Sequence, residues 1–199
     1  MTLQSVRVHV DYVDPLSFIL VRRLRARIRG TAESGAEPPL LRFLPFELFP
    51  PPMPLVDPEL EAWRARWSRA FEILGADDPE IRAHPLVPWT RKAHELAEHA
   101  AEKGLFDDMH SVLFEAHLVR GLDIGRVDVL VELAGSIGLD RTEVKAVLDV
   151  DRFSERIEML RAQALETGVR VAPTIVTADG IVLPMPMSDA LLEHAVPRG

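Results

Sequence analysis

The chain has 199 residues, enough for one domain with a sizeable core or for a core domain with an inserted subdomain. Its formal net charge of −8 at pH 7 argues against nucleic acid as a partner, because surfaces that bind nucleic acid are basic. It has no cysteine, which excludes disulfide bonds, thiolate metal ligands and thiol nucleophiles.

The first two predicted elements are a strand and a helix. Residues 5–12 alternate apolar and polar side chains, which predicts a strand with His9 and Asp11 on its polar face. Asp14 then stands at an N-cap, and Pro15 takes the first position of a helix that continues to about residue 29. Arginines crowd the C-terminal half of this helix, where cations suit the helix dipole.

A loop and a second strand follow. Residues 30–39 combine glycine and proline with small polar residues, which predicts a loop. Residues 40–44 are a short apolar run, predicted to be a strand parallel to the first and reached by a right-handed crossover. Residues 49–54 contain four prolines and predict an extended connection that leaves the sheet.

Helical patterns then continue to about residue 168. Apolar side chains recur at helical spacing, and glycines or capping residues mark the ends. Asp140 with Glu143 resembles a capping box, with aspartate in the role of serine or threonine. The predicted helices run from Asp57 to Gly75, from Asp78 over a short stretch, from Thr90 to Gly104, from Phe106 to Gly121, from Val127 to Gly138, from Asp140, and from Phe153 to Gly168.

The C-terminal residues return to a β-favouring composition. Residues 174–177 and 181–183 flank an Asp-Gly turn, which predicts a hairpin. Ser188 and Asp189 predict the cap of a short final helix. The order is therefore β-α-β, a helical block, and β-β-α, which indicates an α/β fold.

This order resembles the thioredoxin fold of the DsbA type, and the sequence resembles the FrnE-like branch of that family. More distantly, it is similar to the kappa-class glutathione transferases and the 2-hydroxychromene-2-carboxylate isomerases. The likeness lies in Val10-Asp-Tyr-Val-Asp-Pro-Leu-Ser17, Leu44-Pro-Phe-Glu-Leu48, Arg91-Lys-Ala-His-Glu-Leu-Ala97 with Lys103-Gly104, and Gly168-Val-Arg-Val-Ala-Pro-Thr174. The resemblance implies a discontinuous thioredoxin-like domain of residues 1–54 and 169–199, with a helical insertion subdomain of residues 55–168.

The resemblance also implies a site. The family's first helix begins at a Cys-Pro-x-Cys motif, and the matching positions here are Asp14, Pro15, Leu16 and Ser17. The thiolate that disulfide exchange requires is therefore missing. The family's cis-proline, packed against this motif, matches Pro173. The implied ligand-binding residues are Tyr12, Asp14, Pro15, Ser17, Ala172 and Pro173.

Asp14 and Ser17 are the candidate catalytic residues. The helix dipole and the free N–H groups of the first turn favour the ionised form of Asp14. Beside the sulfur of glutathione, this carboxylate would repel a thiolate by about 4 kcal/mol at about 4 Å and an effective dielectric of about 20. Asp before Pro is also a common helix cap, worth about 1 kcal/mol. A structural role and a role toward ligand or proton both stay open.

Seven histidines raise the question of a metal site. His94 and His99 diverge on a helix, whereas His110 and His117 share a face but lie two turns apart, about 10 Å. No histidine pair stands at i, i+4, and no H-E-x-x-H motif is present. We therefore expect no metal ligands in this chain.

Two tryptophans mark one of the predicted helices. Trp63 and Trp67 stand at i, i+4, with Phe71 on the same stripe. This spacing favours packing of the helix against the core. A hydrophobic groove for a partner or a small molecule is the alternative.

Three functions fit these residues. The first is a redox-inactive DsbA/FrnE-like protein that binds a small molecule or an extended peptide in its cleft. The second is a glutathione-dependent transferase or isomerase, the one case in which a cofactor, glutathione, is expected. The third is a structural subunit, such as half of a homodimer. No run of about 18 apolar residues is present, and residues 1–12 lack the apolar core of a secretory signal, so we expect a cytoplasmic protein without a membrane partner.

Overall fold

The computed structural model describes residues 5–33, 35, 37–76, 78–185, 192, 193 and 195. Its strands are β1 (Ser5–Val10), β2 (Leu40–Pro45), β3 (Thr174–Val176) and β4 (Val182–Pro184). They form one mixed sheet in the order β2-β1-β3-β4. β1 is parallel to β2 and antiparallel to β3, and β4 is antiparallel to β3. The predicted parallel pair and the predicted hairpin are both confirmed.

Seven α-helices lie within the described residues. They are α1 (Pro15–Glu33), α2 (Glu61–Ile73), α3 (Arg91–Glu102), α4 (Phe106–Phe114), α5 (Val127–Ser136), α6 (Arg141–Asp149) and α7 (Ser154–Glu166), with a π-helical segment, Glu115–Val119, directly after α4. Six of them fall between β2 and β3, so the predicted α/β fold with a large helical insertion is confirmed. In this part of the chain, no helix is long and apolar enough to cross a membrane. The predicted cap at Ser188 and Asp189 lies outside the described residues.

The C-terminal end of β1 is buried on both faces, whereas Ser5 and Arg7 are half-buried. The valines of β1 pack into the main core as predicted. His9, within the strand, and Asp11, the residue after its end, are buried as well. The alternation predicted a single buried face, and this was wrong. β1 is parallel to β2, and parallel strands are commonly covered on both faces by the segments that connect them. Asp11 finds a partner there, because its Oδ2 accepts the N–H of Leu48 at 2.7 Å.

One hydrophobic core joins the sheet to the helices. Its fully buried members include Val8 of β1, Leu24 of α1, Leu96 of α3 and Leu113 of α4. Burying a side chain of this size contributes about 1.5–3 kcal/mol, so the cluster holds α3 and α4 against the sheet. These contacts run between the thioredoxin-like part and the helical insertion, and the division of the chain into those two units stays a prediction.

Two local predictions were wrong. The predicted loop begins later, because α1 continues through Gly30 to Glu33; a single glycine in a helix costs only about 1 kcal/mol, which tertiary contacts offset. The short helix predicted from Asp78 is absent from this described stretch. The Asp78 carboxylate instead accepts the Gly75 N–H at 2.9 Å and pairs with Arg22 at 3.1 Å. It therefore ties the connection after α2 to α1.

A buried ion pair joins two of the segments that carry the resemblance. Glu47, just after β2, accepts Nε and Nη2 of Arg91 in α3 at 3.0 and 2.9 Å. Nη1 of Arg91 donates to Glu158 of α7 at 2.6 Å. Bidentate pairs of this kind are among the stronger hydrogen-bonded contacts. This one fixes the exit of β2, α3 and α7 relative to one another.

Candidate functional site

The candidate site lies where α1 begins, shortly after β1. Asp14 is the N-cap: its Oδ2 accepts the Ser17 N–H at 2.8 Å, and its Oδ1 accepts the Leu16 N–H at 3.3 Å. Pro15 is buried in the first helical position. A helix leaves the N–H groups of its first turn without partners, so these two bonds stabilise α1. The predicted capping role of Asp14, worth about 1 kcal/mol, is confirmed.

Ser17 is bonded to Asp14 through its side chain as well. Its Oγ donates to Asp14 Oδ2 at 2.5 Å and accepts the N–H of Asp11 at 3.3 Å. Asp14 and Ser17 are both 0% exposed. The hydroxyl that the sequence offers as a donor to a ligand is therefore used within the first turn of α1.

Arg66 of α2 closes the site from the side of the helical insertion. Its Nε donates to Asp14 Oδ1 at 2.5 Å, and its Nη2 donates to the carbonyl of Ala172. The guanidinium thus bridges the first motif position and the residue before Pro173. This contact links α1, α2 and the segment before β3 in one place.

Sequence reasoning missed Arg66, although the packing stripe of α2 contains a signal for it. The buried residues of this helix are Trp63, Trp67 and Ala70, which confirms the predicted packing of the two tryptophans, whereas Phe71, predicted on the same stripe, is exposed. Arg66 lies three residues after Trp63 and four before Ala70. Residues at these spacings share a helix face, and an arginine on a buried face needs a buried acceptor.

Complete burial raises the pKa of Asp14 above its ordinary value of 3.8, while the Arg66 guanidinium and the hydrogen bonds from Ser17 act in the opposite direction. The helix N-terminus favours the ionised form, and the sequence alone does not show the burial that opposes it. Neighbours donate all four hydrogen bonds to this group, which suits an ionised carboxylate because it can only accept. Asp14 is thus one half of a buried ion pair with Arg66.

The segment opposite α1 is bonded within the chain. The peptide bond between Ala172 and Pro173 is cis, and Ala172 is buried. The Pro173 carbonyl accepts the N–H of Met185 at 3.0 Å, and the Ala172 carbonyl accepts Arg66. An extended ligand that adds to this segment must therefore displace Arg66 to reach the carbonyl of Ala172.

Tyr12 lies in the core beside two histidines. Its hydroxyl is 2.9 Å from Nδ1 of His110, and its ring centroid is 4.7 Å from that of His94 and 4.9 Å from that of Phe114. Burial raises the pKa of Tyr12 above its usual value, so the hydroxyl stays protonated. Tyr12 therefore has the predicted place of a core ring, and its polar end bonds to His110.

Most of the histidines are buried: His9, His94, His99, His110 and His117. Burial lowers the pKa of His9 and His117 to about 4 and moves the pKa of His110 in the same direction. Among the described residues, no three His, Asp or Glu side chains are placed to hold a metal ion. His9, His110 and His117 therefore fill the core as neutral rings.

Three comparisons place this geometry among known proteins. The family model described as a DSBA-like thioredoxin domain matches residues 5–194. YwbO of Bacillus subtilis (strain 168), an uncharacterized protein, is 25% identical over 185 residues, which is 89% of this chain and 88% of that one. SCO1869 of Streptomyces coelicolor, described as a probable DsbA oxidoreductase, superposes with a TM-score of 0.78 at 20% identity, covering 96% of this chain and 88% of that one.

The more distant resemblance, to the 2-hydroxychromene-2-carboxylate isomerases, is also seen among solved structures. A 2-hydroxychromene-2-carboxylate isomerase superposes with a TM-score of 0.61 at 16% identity, covering 88% of this chain and 89% of that one. Both solved structures share the fold at low identity, and the family model spans nearly the whole chain. The chain, although it has no cysteine, belongs to the DSBA-like thioredoxin domain family.

Proposed function

We propose that this chain is a redox-inactive member of its family, of the FrnE-like branch, which acts in the cytoplasm by binding a ligand. The proposal rests on the residue found at position 14 and on its contacts. Where the resemblance implies a cysteine, a buried aspartate caps α1 and pairs with Arg66. A carboxylate cannot form a mixed disulfide, and the chain has no thiol elsewhere. The scaffold is kept, and an ion pair replaces the dithiol.

The ligand of this site is a small molecule or an extended peptide that presents a carbonyl or carboxylate oxygen to Arg66. Asp14, Ser17 and Ala172 are fully buried, whereas the Arg66 side chain is 18% exposed. Solvent therefore reaches the guanidinium in preference to the groups it covers. A guanidinium has five N–H donors, so its contacts with Asp14 and Ala172 leave donors for a ligand.

Insulin reduction in the presence of dithiothreitol tests the loss of redox chemistry. The pure protein is expected to leave insulin precipitation at the uncatalysed rate, with an oxidoreductase that has its dithiol as the positive control. Catalysis above that rate, in protein shown by mass spectrometry to be free of other thioredoxins, contradicts the proposal.

A peptide without thiols tests the binding role. The reduced and alkylated B chain of insulin is titrated into the protein and followed by calorimetry. Binding is expected to weaken in Arg66→Ala and Arg66→Lys and to persist in Arg69→Ala, which changes an exposed arginine on the same helix. Absence of binding, or binding that ignores both changes at Arg66, would count against this site.

A glutathione-dependent transferase or isomerase is the second candidate, and Arg66 is the observation that favours it. Asp14 alone would repel a glutathione thiolate, but the guanidinium at 2.5 Å offsets that charge. The bond from Arg66 to Ala172 acts against it, because it closes the cleft. We expect weak or absent binding of reduced glutathione in calorimetry, improved by Asp14→Ser. Tight binding by the unmodified protein would favour this candidate over the first.

A further inference from the structure

Two cavities adjoin along the C-terminal half of α1 and share Arg25 and Arg29 in their linings. One has a volume of about 410 Å³ and lies between α1 and α4. The other has a volume of about 630 Å³ and lies between α1 and β2. The shared wall is about three helical turns further along α1 than Asp14. These cavities are therefore separate from the site at the start of α1, and the inference drawn from them does not depend on the proposed function.

The larger cavity, which we name the α1–β2 groove, has a mainly apolar lining. Its apolar residues are Ile28, Pro38, Pro39, Leu40, Leu41 and Phe43. β2 is an edge strand, so no other strand among the described residues covers this side of the sheet. Leu40 is 49% exposed there. Burial of this surface by an apolar ligand is favourable, and a volume of this size is typical of small-molecule sites.

The smaller cavity, which we name the arginine cavity, has an excess of positive charge. Its charged lining residues are Arg22, Arg23, Arg25, Arg29, Asp78 and Glu115. The protein as a whole has a net charge of −8. The four arginines of this cavity are therefore a local exception to the overall negative charge. Guanidinium groups bind carboxylates through paired N–H donors. The cavity therefore favours an anion.

Two of these arginines are already held in place. Arg22 donates its Nε to Asp78, and its guanidinium carbon lies 5.6 Å from the centre of the Phe18 ring. Arg25 donates to Asp107 at 2.9 Å and lies 5.7 Å from the centre of the Phe43 ring. Side chains that are positioned before binding lose less conformational freedom when a ligand arrives.

Arg29 stands where the two cavities meet. It is exposed and forms no ion pair with any residue that the structure describes. Glu37 and Asp107 also line the α1–β2 groove, and their carboxylates disfavour an anion inside it. Asp107 is already paired with Arg25, so Arg29 supplies the uncompensated positive charge at this place. An amphipathic anion is therefore oriented with its head against Arg29, beside Arg25, and its apolar body in the groove.

We infer that this surface binds an aliphatic carboxylate, with the carboxylate at Arg25 and Arg29 and the chain along Leu40, Leu41 and Phe43. A fatty acid anion has the polarity that the two cavities present together: one charged end and a body without polar atoms. A second copy of this chain is the competing occupant, and the test below separates the two.

Calorimetric titration with dodecanoate, below its micellar concentration, tests the inference on the full chain. Saturable binding is expected, and Arg29→Glu and Leu40→Asp should each weaken it by about tenfold or more, since one reverses the charge at the head and the other places a charge in the apolar groove. Both side chains are exposed, and circular dichroism checks that the variants fold. Arg64→Glu and Met159→Asp, which change exposed residues of α2 and α7, are matched controls and should leave the affinity unchanged.

Two further ligands check which part of dodecanoate is recognised. Hexanoate should bind more weakly, because its shorter chain buries less apolar surface. Dodecyltrimethylammonium has the same tail and the opposite charge, and it should bind more weakly than dodecanoate. The inference would be overturned if dodecanoate did not bind or if dodecyltrimethylammonium bound equally well. It would also be overturned if neither Arg29→Glu nor Leu40→Asp changed the affinity for dodecanoate. A dimer in sedimentation equilibrium that Leu40→Asp dissociates would overturn it as well, because a second copy would then cover the groove.

Discussion

Replacing Arg66 by alanine removes one half of the buried ion pair and leaves Asp14 in place. The carboxylate is 0% exposed and the guanidinium 18% exposed, with 2.5 Å between them. Removing one partner of a buried pair typically costs about 3–5 kcal/mol, because the remaining charge stays buried without compensation. Asp14 keeps three hydrogen bonds from within α1, and the shortened side chain admits water. We therefore expect Arg66→Ala to lower the free energy of unfolding by about 2–3 kcal/mol.

This loss should depend on pH. Arg66 lowers the pKa of Asp14 against the effect of burial, so in Arg66→Ala that pKa rises further above its value of about 3.9 in the unfolded chain. The folded variant then holds a proton that the unfolded chain releases. The contribution of this proton to the stability is fully present below the unfolded pKa and is lost as pH rises through the folded pKa. The difference from the unmodified protein should be larger at about pH 8 than at about pH 5, and pH effects that the two proteins share cancel in this difference.

Urea unfolding followed by circular dichroism, at about pH 5 and about pH 8, measures both free energies. Arg69→Ala is the matched control, since Arg69 and its partner Glu72 are both exposed; it should lie within about 0.5 kcal/mol of the unmodified protein. A loss below about 1 kcal/mol for Arg66→Ala would refute the reasoning. So would a loss that is equal at the two pH values, because lost packing alone has no such dependence.

The motif positions, the buried tyrosine and the buried histidines each give a further prediction. Asp14→Cys with Ser17→Cys should form an intramolecular disulfide under mild oxidant and restore some insulin reduction, because the helix N-terminus and a guanidinium favour a thiolate at position 14; a folded double variant without that disulfide in mass spectrometry would show that the motif is misaligned. Tyr12→Phe should cost about 1–3 kcal/mol in urea unfolding, because Nδ1 of buried His110 loses its partner; an unchanged midpoint would contradict this. His9 has a folded pKa of about 4, so the unfolded chain binds its proton first, and His9 should cost about 2 kcal/mol of stability at about pH 5 relative to neutral pH. His9→Leu should flatten the decline of stability with falling pH, and an unaltered pH profile would disprove this role.

The parts of the fold that follow local rules could be predicted from the sequence. Asp140 accepts the Glu143 N–H at 2.8 Å, as the capping pattern indicates, because a cap and its target are three residues apart. The same holds for Asp14 and the first turn of α1. The hairpin of β3 and β4 follows from its turn residues. Each of these features depends on neighbours along the chain, so the residue pattern is enough to show it.

The contacts that define the site come from distant parts of the chain. Arg66 reaches Ala172 across more than one hundred residues, and no spacing rule links the two positions. His9 lies on what the alternation marks as a polar face, and its burial depends on segments packed over that face, such as Phe46 with its ring centre 6.4 Å away. The sequence therefore locates the motif and its missing cysteines, whereas the closure of the cleft and the pKa of Asp14 require the packed structure.

Under the proposed function, Asp14 keeps an anion in the field where the resemblance implies a cysteine thiolate. A helix N-terminus stabilises a thiolate and a carboxylate by the same means, through free N–H groups and the helix dipole. Asp14 uses those groups, and Ser17 adds a donor where the motif has its second cysteine. What the site loses is the polarisable sulfur nucleophile, and what it gains is an acceptor that Arg66 can pair with. The contacts of Arg66 with Asp14 and Ala172 hold α1, α2 and the segment before β3 together, and under the proposed function this tie takes the place of thiol activation.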